Sequence, residues 1–167
     1  MLFEVEELKM IKKYNRLKAK EYAKKWAFSR NPKYYAFDNI GGDCTNFVSQ
    51  CLFAGGGIMN YTPVTGWYYI NSTQRSPSWT GVEYLYNFLI DNTDIGPFAK
   101  EISPIQSEIG DIIQLGNLNR FYHSLIIVEK DNSEIYVAAH NFNAYLRNLN
   151  TYTYEKIRIL HIDGFRY

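Results

Sequence analysis

The spacing of apolar residues changes near Gly110, and this change limits the folds open to the chain. Before it, apolar residues recur at helical intervals over about 13–29, 44–54 and 82–90. After it, over about 110–162, short runs rich in Ile and Val are separated by clusters of Asn, Asp, Ser and Gly. Helices followed by consecutive strands predict an α+β domain, with N-terminal helices packed on an antiparallel sheet.

Glycine and proline mark where the predicted elements end. The first helix should stop near Arg30, because the following Asn31-Pro32 pair disfavours helical geometry at residue 31. The second helix follows Gly41-Gly42-Asp43 and should stop at glycines 55–57. The strands predicted in the second half are Asp111–Leu115, Ser124–Lys130, Glu134–Ala139 and Lys156–Ile162.

Length and composition exclude several classes of protein. A chain of 167 residues with 46% hydrophobic and 21% charged residues fits one ordered domain, residues 1–167, which we expect to be a monomer. Its net charge of +1 argues against a nucleic-acid partner. No apolar run reaches the about 20 residues of a membrane span. Since no signal peptide is visible, we expect a cytoplasmic protein, or a released one if a leader was removed.

Cys44 is the candidate nucleophile. It follows the glycine pair and Asp43 and begins the second helix, where the helix dipole and free backbone N–H groups favour a thiolate. We therefore expect an accessible thiol with a low pKa. Cys51 lies two turns further along among apolar residues and is predicted to be core. The two sulfurs should not form a disulfide, because seven helical residues separate their Cα atoms by about 10 Å.

The chain has three histidines that could act as the base for this thiol. His123 opens one predicted strand and His140 closes the next. His161 lies inside the last strand, on the side of its apolar neighbours, and is predicted to be structural.

The length of the turn between the two strands decides which residue faces His123. A two-residue Asp131-Asn132 turn, which we favour because both residues tolerate positive φ, places His140 opposite His123. A turn one residue longer places Asn141 there and moves His140 to the other face of the sheet. The predicted triad is therefore Cys44, His123 and His140, with Asn141 as the alternative third member.

Five segments resemble a known family. They are YNRLKAKEYAKKWA, GGDCTNFVSQCL, Trp67 with SPSWTGVEYLYNFL, GDIIQL followed by HSLIIV, and the H-x-x-N-x-x-x-R run from His140 to Arg147. They resemble the putative amidase domain of Firmicutes, and the resemblance covers roughly residues 14–162. That family is similar to the NlpC/P60 and CHAP members of the papain-like cysteine peptidases.

The resemblance implies a papain-like fold of the NlpC/P60 type and a role for each candidate. Cys44 would attack an amide carbonyl, His123 would act as its base and protonate the leaving amine, and His140 would orient the base. The substrate implied is a peptide or a peptidoglycan fragment of the bacterial cell wall. No cofactor or metal is implied.

Further residues are candidates for binding the substrate. The backbone N–H of Cys44 and the side chain of Asn46 are candidate donors to the oxyanion, and Asp43 lies beside them. Trp67 and Trp79 are candidates to wall the groove, with core packing as the alternative.

Three other functions stay open from the residues alone. A zinc site is disfavoured, because the C-x6-C spacing of the cysteines is wider than that of structural zinc ligands. A non-catalytic wall-binding or decayed module would have no reactive thiol. The same triad could also transfer the acyl group to an amine, as transglutaminase-like enzymes do.

Overall fold

The computed structural model describes residues 8–167, which form four α-helices and seven strands. The helices are α1 (Arg16–Trp26), α2 (Cys44–Gly56), α3 (Pro77–Thr80) and α4 (Val82–Asp91). The strands are β1 (Ile11–Lys12), β2 (Gly96–Ile102), β3 (Ile112–Gly116), β4 (Phe121–Asp131), β5 (Glu134–Ala139), β6 (Ala144–Asn148) and β7 (Lys156–Arg166). The chain is thus α+β, with its helices mostly in the first half.

All strand pairs are antiparallel and belong to one sheet, in the order β1-β7-β3-β4-β5-β6, with β2 also paired to β7. The four strands predicted over 110–162 are all present. The sheet extends beyond that range, because β1 and β2 pair with the C-terminal half of β7. The sequence did not predict β2, whose GPFAKEI run has few β-branched residues.

The side chains of the central strands alternate between two apolar clusters, one on each face of the sheet. The cluster shared with the helices contains Ile112, Ile126, Val128, Ala138 and Leu160. The cluster on the other face contains Ile113, Leu115, Leu125, Ile127 and Val137. A residue's face therefore decides whether it meets the helices.

Helix α2, which begins with the candidate nucleophile, is deeply buried. Residues 44–52 are all buried, as expected for a helix packed between α1, α3 and β4. It begins at Cys44 as predicted and ends at Gly57, whose φ of 73° is left-handed.

Helix α1 is shorter than the predicted range of 13–29. Asn15 caps its start by accepting a hydrogen bond from the backbone N–H of Lys18. It ends at Trp26, whose carbonyl accepts from the N–H of Ser29 in a following turn. Among residues 8–167, no helix is both long and apolar enough to cross a membrane.

The predicted turn between β4 and β5 is wrong. Asp131 pairs with Glu134, so the turn residues are 132–133. A bulge between Ile127 and Glu129 then shifts the register by one residue. Ile126 consequently pairs with Ala138. The same register, continued past the end of β5, places Asn141 rather than His140 opposite His123.

The contact between α2 and β7 leaves no space for a side chain at Gly56. A Cβ there would overlap the ring of Phe165, which is fully buried. We expect Gly56→Ala to lower the free energy of unfolding by about 1–3 kcal/mol through overpacking, measured by urea denaturation. Adding Phe165→Leu to Gly56→Ala should restore part of this loss, and an unchanged stability of the single variant would contradict the packing.

Candidate active site

The turn before Cys44 is fixed to the end of β5 by Asn141. The backbone N–H of Asp43 donates to Asn141 Oδ1 at 2.8 Å. Gly42 has a φ of 97°, and a Cβ at this position would overlap the Asn141 amide. Glycine is therefore required here both for the backbone conformation and for the close approach. This contact places Asn141 beside the residue that precedes the candidate nucleophile.

The Cys44 thiol is buried, with the whole residue only 5% exposed. Its sulfur lies 3.8 Å from Thr45 Oγ1, and the backbone N–H groups of Thr45 and Ser124 point towards it. Burial raises the pKa of the thiol above its ordinary value, while these N–H groups oppose the rise. The predicted accessible thiol of low pKa is thus wrong for this structure. The helix start is present, but desolvation outweighs it.

His123 directly precedes Ser124 on β4, and the backbone N–H of Ser124 is one of the groups that point towards the Cys44 thiol. Burial, and then the positive charge of Arg147, lower the pKa of His123 from 6.5 to about 4. Its imidazole is therefore neutral at pH 7 and can accept a proton. Within residues 8–167, no hydrogen bond joins His123 to Cys44.

His140 is engaged on the helix side of the sheet and not with His123. Its Nδ1 lies 2.5 Å from Asp43 Oδ2, and its Nε2 lies 2.8 Å from the carbonyl oxygen of Trp26. Its ring stacks on Phe47 at 4.0 Å. A carboxylate and a carbonyl only accept hydrogen bonds, so both ring nitrogens of His140 are placed to donate.

The predicted contact between His140 and His123 is therefore absent. Both nitrogens of His140 are already used, and the β4–β5 bulge has moved it to the other face. The ring lies at the C-terminal end of α1, where Nε2 is within hydrogen-bond distance of the Trp26 carbonyl.

Asp43 and Asn46 are buried hydrogen-bonding residues and do not line a groove. Asp43 accepts from the N–H of Phe37 at 2.8 Å and from Asn46 Nδ2 at 2.8 Å, in addition to His140. Asn46 Oδ1 accepts from Trp79 Nε1 at 2.9 Å. The side chain of Asp43 does not cap α2. The expectation that these side chains touch the substrate is wrong, because each polar atom already has a partner.

The two candidate tryptophans of the predicted groove are core residues. Trp67 and Trp79 are both 0% exposed, and their rings pack 4.7 Å apart. Trp67 Nε1 donates to Ser49 Oγ at 3.2 Å. The predicted groove walls are wrong, and the alternative of core packing is correct.

A buried series of hydrogen-bonded polar side chains, which the sequence analysis missed, begins at Thr45 next to the thiol. Thr45 Oγ1 lies 3.0 Å from Ser124 Oγ, to which Gln114 Nε2 donates at 3.3 Å. Gln114 Oε1 in turn accepts from Arg158 Nε at 2.8 Å. The available signal was Gln114 itself, a polar residue inside the apolar run of β3.

The cavity next to His123 contains two of the candidate residues, His123 and Asn141. It has a volume of about 480 Å³, and its lining includes His123, Asn141, Phe142, Arg147 and Tyr152. A larger cavity of about 510 Å³, lined by residues such as Asn60 and Phe88, contains no cysteine or histidine. The His123 cavity is therefore the candidate substrate site.

The remaining cysteine and histidine have structural surroundings. Cys51 is 0% exposed, burial raises its pKa well above the ordinary value, and both cysteines are free, as predicted. His161 Nδ1 lies 2.9 Å from the buried Asp111, in agreement with a structural role. In the described part of the chain, no group of three or more His, Cys, Asp or Glu side chains is arranged to hold a metal ion.

Comparison with known proteins defines the class of this protein. Residues 13–162 match the family described as "Putative amidase domain", and the chain belongs to that family, whose description is that of a hydrolase acting on amides. It is 34% identical over 147 residues to the uncharacterized protein YhbB of Bacillus subtilis (strain 168). The match covers 85% of this chain and 45% of the relative, so the chain spans about half the length of that protein. No solved structure was found to match. Similarity to NlpC/P60 and CHAP proteins stays a prediction.

The His140–Asp43 pair should dominate the stability of the site. Truncation by His140→Ala removes the nearest hydrogen-bond partner of the buried Asp43 carboxylate and leaves Arg30, whose Nε lies 3.6 Å from Asp43 Oδ2, as its remaining cation. We expect a loss of about 1–3 kcal/mol in the free energy of unfolding. The control, His123→Gln, should lose less than about 1 kcal/mol. Chemical denaturation measures both, and the double variant His140→Ala/Asp43→Asn should lose less than the sum of the single ones. Equal losses for His140→Ala and His123→Gln would contradict the His140–Asp43 pair.

Proposed function

We propose that this protein is a cysteine-dependent amidase with a papain-like fold, in which Cys44 is the nucleophile and His123 is its base. The observation that supports this most is the position of the sulfur. It lies at the N-terminus of α2 against the N–H of Ser124, the residue after His123. Cys44 thus lies beside the backbone of the residue that follows His123, the candidate base with a neutral imidazole, while Cys44 itself is not among the residues that line the His123 cavity.

The reaction starts from two neutral groups. The thiol and the imidazole move into hydrogen-bond contact as Cys44 Sγ attacks the carbonyl carbon of the amide. The C–S bond forms, the carbonyl π electrons move to oxygen, and His123 takes the thiol proton. The first N–H groups of α2, which the side chain of Asp43 does not cap, stabilise the oxyanion.

The second half of the reaction returns the proton and frees the enzyme. The His123 imidazolium protonates the nitrogen as the C–N bond breaks, and the amine leaves a thioester on Cys44. Water then attacks the thioester with His123 as base. The C–O bond forms, the C–S bond breaks, and the acid and the thiol are released.

We further propose that Asn141, rather than His140, is the polar partner of His123. Asn141 lines the His123 cavity, and the register directs it to the same face. It has a φ of 59°, and Phe142 after it has a φ of 70°. Two successive non-glycine residues in the left-handed region are strained, and such strain is concentrated at functional sites. His140 acts by holding Asp43, and through it the helix start.

The proposed substrate is a peptide or amide linkage of bacterial cell-wall material. The support is membership of the amidase family, together with the predicted similarity of that family to NlpC/P60 and CHAP enzymes. The second candidate is a non-catalytic module on the same scaffold. The buried state and raised pKa of Cys44 favour it over a protein with a preformed thiolate.

The amidase proposal is tested on purified peptidoglycan fragments, with the products weighed by mass spectrometry. Cleavage by the wild type should give two products whose masses together equal the mass of the substrate plus one water. Cys44→Ala should lower the cleavage rate by at least about 1000-fold, since the nucleophile is removed. The matched control, Cys51→Ala, removes the other cysteine and should keep the activity. Cleavage that survives Cys44→Ala would contradict the assignment, and absence of cleavage by the wild type would favour the non-catalytic module.

The pH dependence tests the neutral pair. His123 must be unprotonated to accept the thiol proton, so activity should fall as the pH drops through about 4, where its imidazole becomes charged. The acid limb of kcat/KM reports the free enzyme and is the quantity to measure. An acid limb with an apparent pKa near the ordinary histidine value of about 6.5 would contradict a base whose pKa is lowered by burial and by the charge of Arg147.

A further inference from the structure

Among the described residues 8–167, Arg147 is the one formally charged side chain that lines the His123 cavity. Its Nε donates to Thr151 Oγ1 at 2.9 Å, and one terminal nitrogen donates to the carbonyl of Thr151 at 3.1 Å. Its guanidinium lies 3.7 Å from the centre of the Tyr152 ring. Among the salt bridges of residues 8–167, none involves Arg147. The side chain is therefore held in place while its charge stays without an acidic partner.

Tyr152 supplies a second, independent observation. Its hydroxyl is the only buried side-chain polar atom in residues 8–167 that has no hydrogen-bond partner. Burial raises the pKa of Tyr152, so the group is a neutral phenol and can donate. A buried hydroxyl without a partner is costly, and a ligand that accepts from it would remove that cost. The ring lies 6.1 Å from that of His123.

We propose that Arg147 and Tyr152 bind a carboxylate of the substrate beside the amide bond that is cleaved. The site would take peptides or amides with a free carboxyl group next to the scissile bond. This inference rests on the proposed function, because it assigns the reacting centre to Cys44 and His123.

The number and charge of the donors fit a carboxylate. Arg147 uses Nε and one terminal N–H on Thr151, which leaves further N–H groups on its outer edge. With the Tyr152 hydroxyl, these can satisfy both oxygens of one carboxylate. A single positive charge matches a single negative one, and charge-assisted hydrogen bonds of this kind are the strong ones.

Binding of the carboxylate would also change the base. The groups that share the cavity with His123 include Arg147, Tyr152 and Tyr122, and of these only Arg147 is charged. A bound carboxylate cancels that charge and so removes the smaller of the two causes that lower the pKa of His123, while burial, the larger cause, stays. The resulting rise in the pKa of His123 makes the imidazole a stronger base. A substrate with a carboxylate would thus improve the base that acts on it.

Two alkylating reagents test the anion site without requiring amidase activity. Iodoacetate carries a carboxylate, and iodoacetamide is its neutral counterpart of similar size. In both reactions the S–C bond to Cys44 forms, iodide leaves, and the thiol proton goes to His123. Rates are followed by mass spectrometry of the Cys44 peptide, and the iodoacetate-to-iodoacetamide ratio is divided by that for free glutathione. We expect a normalised ratio of about 10 or more for the wild type.

Variants assign the preference to the cavity. Arg147→Gln should bring the ratio to about 1 and Tyr152→Phe should lower it, whereas Arg147→Lys, which keeps the charge, should retain part of it. Arg120→Gln removes an exposed arginine outside the cavity and should leave the ratio unchanged. A wild-type ratio near 1, or a ratio insensitive to Arg147→Gln, would overturn the inference.

The pH profile supplies a second readout. The acid limb of the iodoacetate reaction should lie above that of the iodoacetamide reaction, because the bound carboxylate neutralises Arg147. Coincident limbs would contradict binding at Arg147.

Failure of the carboxylate site and failure of the proposed nucleophile give different results. Alkylation of Cys44 without any preference removes the carboxylate site and leaves the proposed nucleophile, whereas no alkylation of Cys44 by either reagent removes both.

Discussion

The buried hydrogen-bonded pair of His140 and Asp43 holds together the parts from which the site is made. His140 lies after β5, its Nε2 binds the last carbonyl of α1, and its Nδ1 binds the residue before α2. Burying polar and ionisable groups is unfavourable unless each is hydrogen-bonded. Here Asp43 also accepts from Phe37 and Asn46, so its carboxylate is fully engaged. The position of Cys44 follows from this arrangement.

Desolvation acts on both proposed reacting groups in the same direction, towards the uncharged form. It raises the pKa of the Cys44 thiol and lowers that of His123. The protein therefore holds a thiol and an imidazole rather than a thiolate and an imidazolium. In such a pair the proton moves during attack, and the proposed binding of an anion at Arg147 would strengthen the base only when substrate is present.

Strand β4 joins the two sides of the candidate site. Ser124 points to the helix face and contacts the polar chain from Thr45, while His123, one residue earlier, belongs to the opposite face and its cavity. Adjacent residues of a strand point to opposite faces of the sheet. The two members of the proposed reacting pair thus approach from different faces of the sheet at the end of the β4–β5 ladder, where Asn141 leaves the sheet.

The sequence by itself determined the local features. The glycine pair and Asp43 fixed the start of α2 at Cys44, the apolar pattern fixed β5 at Glu134–Ala139, and the mid-strand position of His161 indicated its structural role. Only the tertiary structure decided which histidine faces which side. The bulge after Ile127 shifted the register by one residue, and the partner of His140 lies 97 residues away in the chain. The burial of Trp67, Trp79 and the Cys44 thiol was likewise decided by packing between distant segments, which local spacing does not encode.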